Sequence, residues 1–239
     1  MRAARALGGR KGIGAVALVV VAAVAAGLLW WRPWAAEPPK PLAFTTAAGG
    51  SERFGTGEHL YRYKVRAEDG LKESPAQFAA EVDAVLGNVR RGWAAGNTWS
   101  FQRVAADPVD FTVYLATPES TDRICGQYGL DTGGWVNCAA GHQVVINVKR
   151  WAELSDAYRG NPDLYHALAV NHEVGHFLGQ GHVECPGPGA PAPVMMQQIK
   201  GLHGCVPNGW PYAEDGTLLT GPPVPASPDP SGSGTSAPR

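Results

Sequence analysis

One stretch of the chain concentrates groups able to bind and use a metal ion: His172-Glu173-Val174-Gly175-His176-Phe177-Leu178-Gly179-Gln180-Gly181-His182. On a helix, His172 and His176 differ by about 40° and lie one turn apart on one face, so their ring nitrogens can grip a single ion. Val170, Val174 and Phe177 fall on roughly the opposite face, leaving histidine in one narrow sector of an apolar helix. A core histidine needs one hydrogen-bond partner and gives no reason for a second imidazole directly above it. Gly179 tolerates the positive φ that ends a helix and lets the chain double back, bringing His182 toward the same ion. Three neutral imidazoles with an open fourth position describe a catalytic zinc site, because structural zinc sites are closed by four protein ligands. Zn2+ lowers the pKa of bound water toward ~7, and Glu173, next to His172, is placed to move that proton.

The helix that must carry these groups has its own start signals. Asn161-Pro162-Asp163 supplies an N-cap, a proline at the first helical position and an acid in the first turn. Upstream, His59–Arg66 alternates Tyr61, Tyr63 and Val65 with Arg62, Lys64 and Arg66, the pattern of a strand with one wet face. Ser74-Pro75-Ala76-Gln77 is a capping box that opens a helix with Phe78, Val82, Val85, Leu86 and Val89 on one stripe. Ser100–Ala105, Phe111–Thr117 and Val144–Val148 read as strands, and a short edge strand is expected near Trp135–Ala139. The order predicts an α/β (α+β) domain with a mixed twisted sheet, two main helices and an irregular C-terminal part.

The form H-E-x-x-H-x-x-G-x-x-H followed by methionine is the signature of the metzincin zinc peptidases, which the stretch His172–His182 and the following Met195-Met196 resemble. The chain also looks like an uncharacterised family of secreted or anchored actinobacterial proteins of unknown function, from about residue 58 to 215. The metzincin resemblance implies a mixed sheet above a cleft with zinc on its floor, and an edge strand that pairs with an extended peptide substrate. It carries over His172, His176 and His182 as ligands, Glu173 as the base, and Met195, in preference to Met196, as the turn methionine. The segment between third ligand and turn is short, Val183–Val194.

Other groups have plainer readings. His166 lies about 120° around the helix from His172 and cannot join the same ion. His59, His142 and His203 are scattered, with His203 a possible cleft residue, and Tyr212 follows Trp210-Pro211 in a packing context. The four cysteines, Cys125, Cys138, Cys185 and Cys205, form an even set with no C-x-x-C spacing, so they read as two disulfides rather than a zinc cage. Three pairings are open; the local one, Cys125–Cys138 with Cys185–Cys205, closes the shortest loops. A thiolate at Cys185 sealing the zinc is the rival.

Arg2, Arg5, Arg10 and Lys11 precede an uncharged run from Gly12 to Trp31, whose 20 residues make about 30 Å of helix, a bilayer's thickness. Trp30, Trp31 and Trp34 beside Arg32 read as an interfacial belt rather than a small-residue cleavage site. Residues 1–34 are therefore expected to be a cytoplasmic stub and signal anchor with the rest outside; the alternative is secretion after cleavage. Residues 35–57 read as a flexible linker, 58–219 as the metallopeptidase-like domain and 220–239 as a disordered Pro/Ser/Gly-rich tail. With 20 Lys+Arg against 21 Asp+Glu the chain lacks the basic face that nucleic-acid binding requires. The reading that unites these features is a membrane-anchored extracellular zinc endopeptidase. Two alternatives stand beside it: a non-catalytic, zinc-braced surface binding module, and a zinc amidase acting on cell-wall peptide.

Overall fold

The alternating segment forms β2 (His59–Glu68), whose inward residues Tyr63, Val65 and Ala67 are buried. The structure, a computed structural model, describes residues 41–224. Around β2 are β1 (Phe44–Thr46), α1 (Pro75–Leu86), β3 (Trp99–Arg103), β4 (Phe111–Ala116), α2 (Pro118–Gly126), β5 (Cys138–Ala140), β6 (Gln143–Asn147), α3 (Val148–Glu153) and α4 (Pro162–Phe177). The six strands make one mixed sheet in the order β1-β2-β4-β6-β5. Strands β2, β4 and β6 are parallel; β1 and β5 run antiparallel to their neighbours, and β3 pairs in parallel with the first half of β2. The fold class is thus mixed α/β, consistent with α+β.

Local signals start the helices. Ser74 accepts from Gln77 N–H and the Gln77 side chain accepts from Ser74 N–H, the reciprocal box expected at α1. Asn161 accepts from Leu164 N–H at the start of α4, with Pro162 at the first helical position. Both helices bury their apolar faces against the sheet, in a core that includes Phe78, Val82, Leu86, Val170 and Val174. Helix α1 ends at Leu86, so Val89 is not on its stripe and is 54% exposed. Helices α2 and α3 had no reading in the sequence, although Thr117 caps α2 ahead of Pro118.

Two expected boundaries move. The second half of the expected linker is folded: β1 pairs with Glu68, Ala67 and Arg66, and Phe54 exchanges two backbone hydrogen bonds with Phe101. The compact unit accordingly begins at Leu42. A three-residue strand is too short to show a two-residue period, and its anchors Phe44, Ala47 and Phe54 are widely spaced. At the other end, the expected tail contributes Pro222–Val224, whose backbone pairs with His182–Glu184. The expected anchor and the rest of the tail lie outside the described residues. Among the described residues no helix is long and apolar enough to cross a membrane.

The disulfides take the local pairing, Cys125–Cys138 and Cys185–Cys205, with Cα atoms 6.4 and 5.9 Å apart. Replacing Cys125 and Cys138 together by alanine frees a 13-residue separation and is expected to cost about 3 kcal/mol of stability. Urea denaturation measures it; a loss under about 1 kcal/mol would show that the unfolded chain gains little from release.

Candidate metal centre

Helix α4 ends at Phe177, and Gly179 follows at φ 82°, turning the chain so that His182 comes back beside the helix. The three rings then converge: centroids are 4.8 Å apart for His172–His176, 4.6 Å for His176–His182 and 5.3 Å for His172–His182. One potential ligand atom from each lies within 4.8 Å of the others, so the cluster can hold a metal ion. The closest pair, Nε2 of His176 and Nε2 of His182, is 3.1 Å apart. Two nitrogens bound tetrahedrally at about 2.0–2.1 Å would sit about 3.3 Å apart, so this pair already has the required spacing.

The hydrogen-bond pattern fits a ligand set rather than three packed histidines. Nδ1–H of His172 donates to the Val194 carbonyl at 2.7 Å, and Nδ1–H of His176 donates to the Gln180 carbonyl at 2.9 Å. Carbonyls only accept, so those nitrogens carry the protons and each Nε2 presents a lone pair. This is the backbone bracing that orients metal-binding imidazoles. Burial lowers the pKa of His172 to about 3, with the nearby His176 adding to it. Burial lowers His182 to about 4, helped by His176 and Lys200, and lowers His176 as well. The donors are therefore neutral at physiological pH, as metal binding requires.

A turn at Val194–Met195 joins the parts. Besides holding His172 through Val194, it accepts Val183 N–H at the Met195 carbonyl at 3.3 Å, one residue past His182. The Met195 sulfur packs on Gly175, between the two helical ligands in sequence and adjacent to His176: a Cβ there would lie 2.3 Å from Sδ. Met196 instead lies in a small cluster with Ala192 and Cys205. Behind the turn, Gln198 donates to the carbonyls of Pro193 and Asn208, and Tyr158 hydroxyl donates to Gln198. All three side chains are buried, so this network fixes the turn from the core side.

The C-terminal segment braces the third ligand. Val224 N–H donates to the His182 carbonyl at 3.0 Å and Glu184 N–H to the Pro222 carbonyl at 2.7 Å.

The histidines open into a cavity of about 560 Å³. One wall is the stretch from Leu130 to Ala139, the other is the ligand face of α4 from Tyr165 to His176, and Met196–Lys200 closes the third side. Glu173 lines the same cavity, is 5% exposed, and its carboxyl has no hydrogen-bond partner among the described residues. Burial pushes its pKa up to about 8.

All the predicted site residues except Met195 therefore line one cavity, with Met195 beneath it. The remaining candidates do not join them. His166 stacks on Trp151 and bonds Glu81 and the Trp151 carbonyl. His142 bonds the Asp110 carbonyl, and neither it nor His59 or His203 lines the cavity. Tyr212 packs against Trp93 and Gly96, and Cys185 is committed to its disulfide. Tyr165 and Gln198 were missed. Tyr165 is seven residues before His172, about 20° away in angle, and that period was available in the sequence. The carbonyls of Val194 and Gln180 leave no side-chain signature at all.

Residues 40–205 match the family described as "Protein of unknown function (DUF3152)". The chain belongs to the DUF3152 family. The DUF3152 match includes all three histidines, Glu173, Met195 and the four cysteines, and stops before the segment that pairs with His182–Glu184. No curated protein and no solved structure matches the chain.

The C-terminal brace makes a test. A chain ending at Thr220 is expected to hold a divalent metal ion about tenfold more weakly than one ending at Val224, as measured by chelator competition with Zn2+ as the probe, because the backbone at His182 loses its support. Equal affinities would reduce the brace to a passive contact. A second expectation concerns pH in the metal-free protein. The unfolded imidazoles bind protons near 6.5 and the folded ones near 3 to 4, so their stability is complete above about 6.5 and is lost as pH falls. Glu173 runs the other way: its stability is complete below about 4.5 and is lost as pH rises through about 8. Melting temperature should therefore peak near pH 6.5, fall more steeply on the acid side, and lose its decline toward pH 8 in Glu173→Gln. A metal-free melting temperature that rises from pH 6 to pH 4 would contradict the buried neutral imidazoles.

Proposed function

We propose that the chain is a membrane-anchored, extracellular zinc endopeptidase of metzincin type that hydrolyses a bond in an extended peptide. The observation that carries this reading is the juxtaposition, in one cavity, of three neutral imidazoles with the buried, unpartnered carboxyl of Glu173. An all-nitrogen set of three protein donors suits zinc and leaves a coordination position free. Bound Zn2+ would supply Lewis acidity, polarising the scissile carbonyl and making water a nucleophile at neutral pH.

The protein's own groups would do the rest. The carbonyls of Val194 and Gln180 hold two rings in the tautomer that binds. Glu173, neutral in its buried setting, becomes a base next to positive charge; it takes the proton of the attacking water and returns it to the leaving nitrogen. Strand β5 is paired on one side by β6, and Cys138 and Ala139 border the cavity, so an extended backbone has an edge to lie along. The parallel strands, the antiparallel edge strand and the methionine against the ligand helix are consistent with the metzincin resemblance. Two disulfides support an oxidising compartment outside the cell.

The decisive comparison uses the zinc-loaded full-length chain on a mixed peptide library and on purified cell wall, with products identified by mass spectrometry. Glu173→Gln should keep its zinc by elemental analysis and lose about 10²–10⁴-fold in kcat/KM. His176→Ala should lose both zinc and turnover. Undiminished turnover in the Glu173 variant would remove the proposed mechanism, and cleavage of the wall alone would move the substrate to a wall amide.

A further inference from the structure

The cavity continues well beyond the histidines. From Glu173 its α4 wall runs back through Ala169 and Leu168 to Tyr165, eight residues or about 12 Å along the axis. Leu168 and Ala169 offer no polar atoms, and Ala169 leaves room where a larger residue would fill the channel. Tyr165 is 1% exposed, yet its hydroxyl has no hydrogen-bond partner among the described residues. Its ring is fixed edge-on against Tyr158, 5.4 Å away, whose own hydroxyl is occupied by Gln198 and Asn208. Burial pushes the Tyr165 phenol up to about 12, so it stays a neutral donor. Cavity water can satisfy that hydroxyl in the free protein, so a substrate group that displaces the water must replace its hydrogen bond or leave the hydroxyl unpaired.

Resting on the endopeptidase reading, we infer that Tyr165 is a specificity-determining residue that selects substrates with a long, uncharged, oxygen-tipped side chain within a few residues of the scissile bond. Glutamine and tyrosine are of that class; methionine and phenylalanine match them in length and lack the oxygen. The apolar middle of the channel takes the stem of either kind, so length alone does not discriminate. The tip does, because an apolar end leaves the buried hydroxyl unpaired. Asp131 on the same cavity disfavours an anionic tip, with Lys200 the one lysine or arginine on the lining.

Two peptide pairs, Gln against Met and Tyr against Phe at a single position, test this. Calorimetric titration into the metal-free full-length chain reads binding without turnover, and kcat/KM of the zinc-loaded chain reads it in catalysis. The oxygen-tipped member of each pair should be favoured about tenfold, and Tyr165→Phe should bring it down to the level of its partner in both measurements. Equal affinities in the native chain, no binding of any peptide, or a preference that survives Tyr165→Phe would each overturn the assignment. Preference in binding without cleavage of any peptide would leave Tyr165 assigned and remove the endopeptidase reading instead.

Discussion

The turn at Val194–Met195 is the constraint on which the site depends. Its first carbonyl holds the ring of His172, its second holds the backbone beside His182, and its sulfur fills the space over Gly175. Three contacts from two residues thus register a helix, a loop and the helix surface between them. Glycine at 175 follows from this: alanine would gain up to about 1 kcal/mol of helix propensity but would overlap the sulfur and Trp93, a strain of about 1–3 kcal/mol. The turn could not do this if it moved. The Tyr158–Gln198–Asn208 network ties its far side to the core with hydrogen bonds that have no water competing for them.

Placing ionisable groups in this frame sets their electrostatics. The histidines are half-buried and close together, so a proton on one disfavours a proton on the next, and burial adds to the effect. The same burial resists charge on Glu173. The result is a pocket of neutral groups in which Nε2 of His176 and Nε2 of His182 face each other at 3.1 Å and the Glu173 carboxyl has no hydrogen-bond partner among the described residues. A cation relieves the whole set at once, since it is attractive to the lone pairs and favours the ionised carboxyl. A metal ion therefore fits both the spacing of the three nitrogens and the neutrality of the groups around them.

What the sequence disclosed follows from how local each signal was. The ligand helix, its Asn161 cap, its Gly179 stop and the capping box at Ser74 all operate within a few residues, and each is legible in the sequence itself. The parallel strands were legible because β-branched and aromatic residues crowd them. Of the three pairings open to the cysteines, the one found is the one that closes the shortest loops. Illegible were features built from distant backbone. Strand β1, the brace at Pro222–Val224 and the carbonyls that hold the rings depend on which N–H meets which C=O, and side-chain identity barely records that. The tail was misread for the same reason: a Pro-rich composition argues against helix and regular sheet, but two or three backbone hydrogen bonds to a neighbouring segment need neither.

The disulfides are placed where they serve the cavity as much as the fold. Cys138 begins the edge strand β5, and its bridge to Cys125 at the end of α2 closes the loop whose Leu130–Ala139 stretch forms the wall opposite α4. Cys185 lies three residues past His182, and its bridge to Cys205 returns the chain toward Asn208, which anchors the network behind the turn. The first bridge is buried among Ala116, Ile124 and Val145, and the second lies against Ala192 and Met196, so each ties a loop beside the site to a small apolar cluster. Trp135 on the first loop is 47% exposed and packs mainly under Lys149 and Arg150. Such a loop would have little reason to keep one conformation by burial alone. A covalent bond that limits its freedom preserves the shape of the wall while leaving the cavity open, which a larger core could achieve only by filling it.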